Sequence, residues 1–274
     1  GEQVRTSYEN TKNNLQAILK QLKKQSDTDF ILLQEVDVDS KRSYHINQYD
    51  SIKRMLPEHH PLIAVNYLAK YVPFPLKSPV GQVHSGMMML GKYMPEKAER
   101  HAYTGSFSWP KRLFMPDRCF HASFYPIDNG KNLIIINLHN SAFDDGELRK
   151  KQLQQLKTFC VNQYDLGNYV IAGGDWNQCP PEIPVNCFSD VPDSDFKLIP
   201  VEPGFFPSEW QFIYDKEQAT NRYLNEVFRE NHTATTILDF FLISPNISLI
   251  KAETINLGFE NSDHEPVQVK LELL

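Results

Sequence analysis

Apolar side chains recur along this chain with the spacing of amphipathic helices in three places. Residues 9–25 and 145–163 carry apolar positions every three or four residues, and residues 51–56 continue a shorter helical pattern. The inward positions of the two longer helices are Leu15, Ile18, Leu19 and Leu22 in the first, and Leu148, Leu153, Leu156 and Phe159 in the second. We therefore expect each of these helices to pack on a core from one side only.

Short apolar runs bounded by turn residues predict the strands. The predicted strands lie at 29–36, 62–69, 85–93, 118–127, 132–140, 168–174, 235–244 and 265–273. Residues 128–131, with the sequence DNGK, join two of these runs and indicate a β-hairpin. Residues 178–232 are rich in Pro and aromatic residues and show little periodicity. Strands outnumber helices, which predicts one α/β domain over residues 1–274, built from stacked sheets covered by outer helices.

The composition and net charge of the chain exclude some classes of function. The chain has 274 residues, of which 41% are hydrophobic, and a formal net charge of −6. This charge argues against broad electrostatic binding to nucleic acid, although a local basic groove remains open. No apolar run approaches the ~18 residues of a transmembrane helix, and no signal peptide is visible. The four cysteines match no zinc pattern; Cys179 and Cys187 flank a predicted loop and either pair or remain free thiols.

Ionisable and amide side chains stand at the ends of several predicted strands. They are Glu35, His139, Asp175, Asn177, Asp239, Asp263 and His264. Each one alone has an ordinary structural explanation, such as a turn cap or a hydrogen-bonded core carboxylate. Together they are harder to dismiss, because strand ends on one side of a sheet converge on one site.

This set of residues suits one kind of chemistry. Carboxylate oxygens such as those of Glu35 and Asp263 favour Mg²⁺, with Mn²⁺ or Ca²⁺ as alternatives. Two histidines with neighbouring carboxylates suit proton transfer and stabilisation of a phosphate. The combination points to metal-assisted hydrolysis of a phosphate ester.

The motifs that carry these residues resemble those of the endonuclease/exonuclease/phosphatase superfamily. The similar segments are ILLQEV (31–36), HSGMMML (84–90), NLHNSA (137–142), GGDWN (173–177), ILDFFLIS (237–244) and NSDHEPV (261–267). Their order along the chain makes the combination specific. The resemblance implies a four-layer sandwich of two packed, mainly antiparallel β-sheets flanked by helices.

The resemblance also implies a role for each residue. Glu35 would hold the metal with help from Asp263. Asp175 would orient or deprotonate the attacking water, and Asn177 would hold that water or a phosphate oxygen. Asp239 would fix the tautomer of His264. His139 and His264 would stabilise the charge of the scissile phosphate, and His84 would contact that phosphate. Arg118 and Arg222, with Trp109, Lys111 and Arg112 nearby, are candidates for substrate binding or for a solvated rim.

One feature departs from the family pattern. Family members begin with a strand that ends in a metal-reaching Asn, and no such strand precedes the first predicted helix in this sequence. The departure supports a second class of function, a non-catalytic phosphate-binding module on the same fold.

The motifs do not select one substrate or one cellular location for the protein. A nucleic acid, a phospholipid headgroup as in sphingomyelinases, and a sugar or inositol phosphate are all compatible with the motifs. We expect a monomer without an integral membrane segment. A secreted or periplasmic location is favoured over a cytoplasmic one, although the sequence does not determine it.

Overall fold

A computed structural model of the chain describes residues 6–105, 107, 109–142, 146–183, 200–224, 227–230 and 232–274. The helices are α1 (Tyr8–Lys24), α2 (Gln48–Met55) and α3 (Glu147–Asp165), and short 3₁₀ turns lie at Lys41–Ser43 and Lys111–Phe114. The strands are β1 (Phe30–Asp37), β2 (His60–Val72), β3 (Gly81–Gly91), β4 (Lys97–Ala102), β5 (Cys119–Pro126), β6 (Asn132–His139), β7 (Tyr169–Asp175), β8 (Gln211–Ile213), β9 (Asn221–Arg222), β10 (Thr235–Thr236), β11 (Asp239–Ile243), β12 (Ile247–Thr254) and β13 (Val267–Leu273).

The strands form two main sheets. One is antiparallel with the order β1-β3-β2, and the other has the order β4-β5-β6-β7-β11-β8. All neighbours in the larger sheet are antiparallel except β6 and β7, which run parallel. Strands β12 and β13 form an antiparallel pair, and the short strands β9 and β10 form another.

Three clusters of buried apolar side chains lie between the layers of the fold and show the sequence in which the layers are stacked. Alternation along β1 sends Ile31 and Leu33 towards α1 and α2, while Phe30 and Leu32 face the larger sheet. On the far face of the larger sheet, α3 packs Leu153 and Leu156 against strand residues of β5, β6 and β7. The layers are therefore helix, sheet, sheet and helix, which confirms the predicted sandwich.

The core of the larger sheet explains its stability. Strand β6 contributes Ile134, Ile136 and Leu138, which are buried against α3. Each side chain of this kind contributes about 1.5–3 kcal/mol when it is fully buried.

No described helix is both long and apolar enough to cross a membrane.

Candidate active site

The ends of three neighbouring strands bring candidate residues together at one edge of the larger sheet. Because β6 and β7 are parallel, their carboxyl ends coincide, and His139 lies in register with Asp175. Strand β11 runs the other way and begins at Asp239, which is also in register with Asp175. The strand pairing alone thus groups three of the predicted residues.

Two glycines allow this edge to be built. A Cβ atom on Gly173 would overlap the ring of Phe241, and a Cβ on Gly174 would overlap the carbonyl oxygen of Leu138. Gly174 also has φ of +138°, which disfavours L side chains. Glycine at these positions therefore allows β7 to approach both neighbouring strands and to turn towards Asp175.

We expect Gly174→Ala to destabilise the fold by at least about 2 kcal/mol, because strain and overlap with backbone act together. Gly130→Ala is the matched control, since Gly130 has φ of +76° and would have nothing within 4 Å of an added Cβ. The control should cost only about 1–2 kcal/mol. Chemical denaturation of both variants measures this difference, and equal losses would show that the close approach to Leu138 is unimportant.

Asp175 is buried and well supported by hydrogen bonds. Its Oδ1 accepts from the backbone N–H of Asn177 at 2.8 Å, and its Oδ2 accepts from Asn177 Nδ2 at 3.1 Å. Asn177 Nδ2 also donates to the carbonyl oxygen of Asn140 at 2.9 Å, and Asn177 itself has φ of +51°. Burial raises the pKa of Asp175 to about 7; the negative charge of Asp239 adds to this rise and the charge of His264 opposes it. The carboxyl group therefore titrates near neutral pH.

His139 lies between two carboxylates. Its Nε2 is 3.3 Å from Asp175 Oδ2 and 3.9 Å from Glu35 Oε1, and its side chain is buried. Burial lowers the pKa of His139 well below its ordinary value, and the charge of Arg118 lowers it further. His139 is therefore neutral at physiological pH and offers a hydrogen bond rather than a charge.

His264 and Asp239 form a charged pair on the other side of Asp175. His264 Nδ1 lies 2.7 Å from Asp239 Oδ2, so the contact implied by the family resemblance is confirmed. Burial lowers the pKa of His264, but the charge and hydrogen bond of Asp239 outweigh this and hold that pKa well above its ordinary value. Thr220 supports the pair, because its Oγ1 accepts from the backbone N–H of Asp239 at 3.0 Å. His264 is thus an imidazolium near neutral pH.

Glu35 stands at a bulge of β1, where its φ is +56° and its side chain is 54% exposed. Arg42 Nη1 donates to Glu35 Oε2 at 2.7 Å. The same guanidinium donates to the buried Asp37 at 2.9 Å and to Ser85 Oγ at 3.2 Å. Desolvation raises the pKa of Glu35, but the charges of Arg42 and Arg118 and the hydrogen bond from Arg42 outweigh it and hold that pKa below its ordinary value. Glu35 is therefore an anion with a fixed cationic neighbour.

Arg118 supplies a second cation to the site. It directly precedes β5, whose Phe120 is paired with Leu138 of β6, so it lies at the same sheet edge as His139. Its charge acts on Glu35, His139 and Asp175. Burial lowers the pKa of Arg118, and the carboxylates of Glu35 and Asp175 oppose that shift. Within the described part of the chain the guanidinium makes no hydrogen bond or ion pair. It is therefore available to an anionic ligand.

Three further predicted residues lie beside this group: Asp263 precedes His264, the backbone N–H of Arg222 donates to the Asp263 carbonyl oxygen at 3.0 Å, and His84 lies in β3. His84 precedes Ser85 in β3, and successive side chains of a strand point to opposite faces, so the residue that reaches Arg42 is Ser85. Arg222 donates to the carbonyl oxygen of its neighbour Tyr223. The Asp263 carboxylate contributes to the raised pKa of His264 but makes no ion pair or hydrogen bond with Glu35. Arg112 is exposed and makes no hydrogen bond or ion pair with this group among the residues that the structure describes.

Sequence reasoning missed several residues that complete the site. Arg42 binds Glu35, and the side-chain amide of Asn221 lies 3.0 Å from His264 Nε2. As an imidazolium, His264 donates at this contact, so the amide oxygen is the atom that accepts. Tyr67 is in register with Ser85. Burial raises the pKa of its hydroxyl, and the charges of Arg42 and Arg118 oppose that rise. None of them belongs to a strand-end motif. The spacing of Arg42 only seven residues after Glu35 was the one available signal.

Cys179 is a free, buried thiol whose Sγ lies 3.3 Å from Thr236 Oγ1. Cys187, its suggested disulfide partner, lies outside the described residues.

The sequence model of the endonuclease/exonuclease/phosphatase family matches residues 5–264. This chain belongs to that family. No curated protein sequence is significantly similar to it. Members of this family hydrolyse phosphate esters, which agrees with the group of anions, imidazoles and guanidinium that the strand ends assemble.

Solved structures support the fold independently. An endonuclease/exonuclease/phosphatase from Beutenbergia cavernae DSM 12333 superposes with a TM-score of 0.64 at 13% identity, covering 94% of this chain and 65% of that chain. The human Nocturnin catalytic domain with bound sulfate gives 0.62 at 15% identity, covering 96% of this chain and 87% of that chain. TDP2 from D. rerio with a single-strand DNA product gives a TM-score of 0.61 at 14% identity, covering 96% of this chain and 93% of that chain. At these identities the similarity concerns the fold alone.

Proposed function

We propose that this protein is a Mg²⁺-dependent hydrolase of phosphate esters. The observation that carries the proposal is the position of Arg118, whose guanidinium has no partner among the described residues, at the sheet edge that holds His139, Asp175 and the Asp239–His264 pair. The set supplies a cation for a phosphate, a base and an imidazolium at one sheet edge. These are the parts that hydrolysis of a phosphate ester requires.

Each residue takes one role in this proposal. The ionised Asp175 accepts a proton from the attacking water, which Asn177 helps to orient. His264 keeps its proton through Asp239 and stabilises the negative charge that develops on the phosphate. His139 donates a neutral hydrogen bond to a phosphate oxygen, and Arg118 binds a second one. His84, Arg222 and Asp263 remain proposed contributors to binding, with Asp263 acting on the metal through water.

Glu35 fits a hard divalent cation because, within the described part of the chain, just one of its oxygens accepts a hydrogen bond. Arg42 binds Oε2, whereas Oε1 makes no hydrogen bond within the described residues. The described residues contain no group of three or more side chains that could hold a metal by themselves. Water and the substrate phosphate would complete the shell, as Mg²⁺ commonly requires. When bound, the cation would supply charge neutralisation for the phosphate.

We expect EDTA to abolish hydrolysis of bis-p-nitrophenyl phosphate and added Mg²⁺ or Mn²⁺ to restore it. Glu35→Ala should weaken the binding of Mn²⁺ by at least about tenfold, because it removes the one available carboxylate oxygen. Release of p-nitrophenol measures the activity, and electron paramagnetic resonance measures Mn²⁺ binding directly. Full activity in EDTA would exclude the metal, and metal binding without any turnover would favour a non-catalytic phosphate-binding module.

The matched control removes the positive charge of Arg42, which is bonded to Oε2 of Glu35. Arg42→Ala alone would leave the buried Asp37 unpaired at a cost of about 3–5 kcal/mol. The double variant Asp37→Asn/Arg42→Gln removes both charges and takes away the cation bonded to Glu35, while the charge of Arg118 still acts on that carboxylate. It should bind Mn²⁺ more tightly, so the two variants shift metal affinity in opposite directions. A loss of affinity in both would indicate that they act through general damage to the fold.

The net charge of the chain bears on the class of phosphate ester that it would hydrolyse. The D. rerio neighbour was crystallised with a DNA product, and the chain's net charge of −6 limits long-range attraction to such polyanions. Sphingomyelinase-like and sugar or inositol phosphate substrates remain alternatives within the same chemistry.

A further inference from the structure

Two adjoining segments beside the site carry an unusual set of exposed apolar side chains, and we call them the apolar ridge (residues 68–77 and 109–113). The exposed side chains are Leu68, Tyr71, Phe74, Leu76, Trp109 and Leu113. Leu68 is 73% exposed, Leu76 78% and Trp109 80%. Scattered exposed apolar residues are ordinary, but a concentration of this kind marks an interaction surface.

Contacts at the base of the ridge hold its two segments together. Phe74 packs edge-on against Phe114, with 6.5 Å between ring centroids. Tyr67 donates its hydroxyl hydrogen to the carbonyl oxygen of Phe114 at 2.7 Å. The backbone N–H of Val80 donates to the carbonyl oxygen of Phe74, which folds the first segment back on itself. The exposed side chains therefore stand on an ordered support.

The ridge also adjoins the candidate active site. Tyr67 immediately precedes the first segment and is paired with Ser85, whose Oγ accepts a hydrogen bond from Arg42 at 3.2 Å. Arg118 follows the second segment by five residues. A partner bound to the ridge would consequently lie at the side of the site where Arg118 is placed.

Charge indicates what kind of partner the ridge fits. Residues 59–95 contain no Asp or Glu, although the chain has 34 acidic residues. Lys70 and Lys77 are exposed within the first segment, and Arg112 is exposed within the second. The ridge is thus locally cationic on an acidic protein, which favours an anionic partner.

The types of apolar side chain in the ridge distinguish between two anionic partners, single-stranded nucleic acid and a lipid bilayer. A platform for single-stranded nucleic acid stacks bases on aromatic rings, and half of the exposed apolar side chains in the ridge are leucines, which have no ring to stack. Leucine, tryptophan and tyrosine interspersed with lysine are instead typical of surfaces that lie in the interface of a bilayer. We propose that the apolar ridge docks this protein onto membrane surfaces that carry anionic lipids.

The proposal is tested by sedimentation of the full chain with vesicles of phosphatidylcholine, with and without about one-third phosphatidylserine. The protein should bind the mixed vesicles more tightly, and added salt should reduce that difference. Leu76→Ser/Trp109→Ser should weaken binding to both vesicle types by about tenfold or more, because two apolar side chains no longer enter the interface. Lys70→Gln/Lys77→Gln should weaken binding by roughly tenfold, and only to the anionic vesicles.

Leu166→Ser is the matched control, because Leu166 is 63% exposed at the end of α3 and lies outside the ridge. It should leave vesicle binding unchanged. Leu166→Ser and Lys70→Gln/Lys77→Gln change no candidate substrate-binding residue, so both variants should hydrolyse bis-p-nitrophenyl phosphate as the parent does. Failure of docking and failure of the proposed hydrolysis are therefore seen separately. Absence of vesicle binding overturns the proposal. So does binding of single-stranded oligonucleotide, or self-association, that depends on Trp109 while vesicles are ignored.

Discussion

His264→Ala should lower kcat by roughly 10²–10⁴, the range expected for a positioned electrostatic or acid–base group. The structure gives the reason for this size, because Asp239 lies 2.7 Å from His264 Nδ1 and raises the pKa of the imidazole. The side chain therefore carries a positive charge next to the place where the phosphate is expected. Steady-state kinetics with bis-p-nitrophenyl phosphate at saturating Mg²⁺ measure the loss.

Asp239→Asn tests the pair through the pH dependence of the rate. The imidazolium is the active form, so activity is retained below the raised pKa of His264 and falls as the pH rises through it. Replacing the carboxylate by an amide removes the cause of that rise, and the upper limb of the pH–rate profile should move to lower pH. The two substitutions should also combine non-additively, because the residues act as a unit. Multiplicative losses with an unmoved profile would make Asp239 a purely structural carboxylate.

Much of the fold could be predicted from periodicity. Helices α1 and α3 follow their apolar spacing closely, and the hairpin of β5 and β6 follows from the DNGK turn. Strand β4 was missed because its sequence KAERHA has almost no apolar pattern, and only pairing with β5 makes it a strand. Strand β2 is longer than its apolar run, since pairing with β3 extends it to His60–Val72.

The candidate site was predictable where it depends on motifs at strand ends, as at His139, Asp175 and Asp239. It was not predictable where a contact depends on the face of a strand or on the path of a loop. His84 and Ser85 differ by one position in β3, and that one position decides which of them meets Arg42. Arg42 itself reaches Glu35 through the turn at Lys41–Ser43, whose path is set by tertiary packing.

Asp175→Asn should also lower kcat by roughly 10²–10⁴, because the amide cannot accept the proton of the attacking water. Burial raises the pKa of Asp175 to about 7, so in the parent protein activity should fall as the pH drops below neutrality. The residual activity of the variant should lack this lower limb. A bound cation would move the limb to lower pH, so the profile is measured at several Mg²⁺ concentrations.

Stability supplies a second readout for Asp175 that does not depend on turnover. An aspartate in the unfolded chain has a pKa of about 3.9, well below the folded value. Between those two values the folded state binds more protons than the unfolded state, so at this group the free energy of unfolding decreases as the pH rises. Asp175→Asn should remove that decrease, although the amide also loses one of the hydrogen bonds that Asn177 donates to the carboxylate. Denaturation of both proteins in EDTA from pH 4 to 8 measures the difference. If the two unfolding free energies run parallel across this range, Asp175 is ionised throughout it, and it cannot be the base that sets the acid limb of the rate.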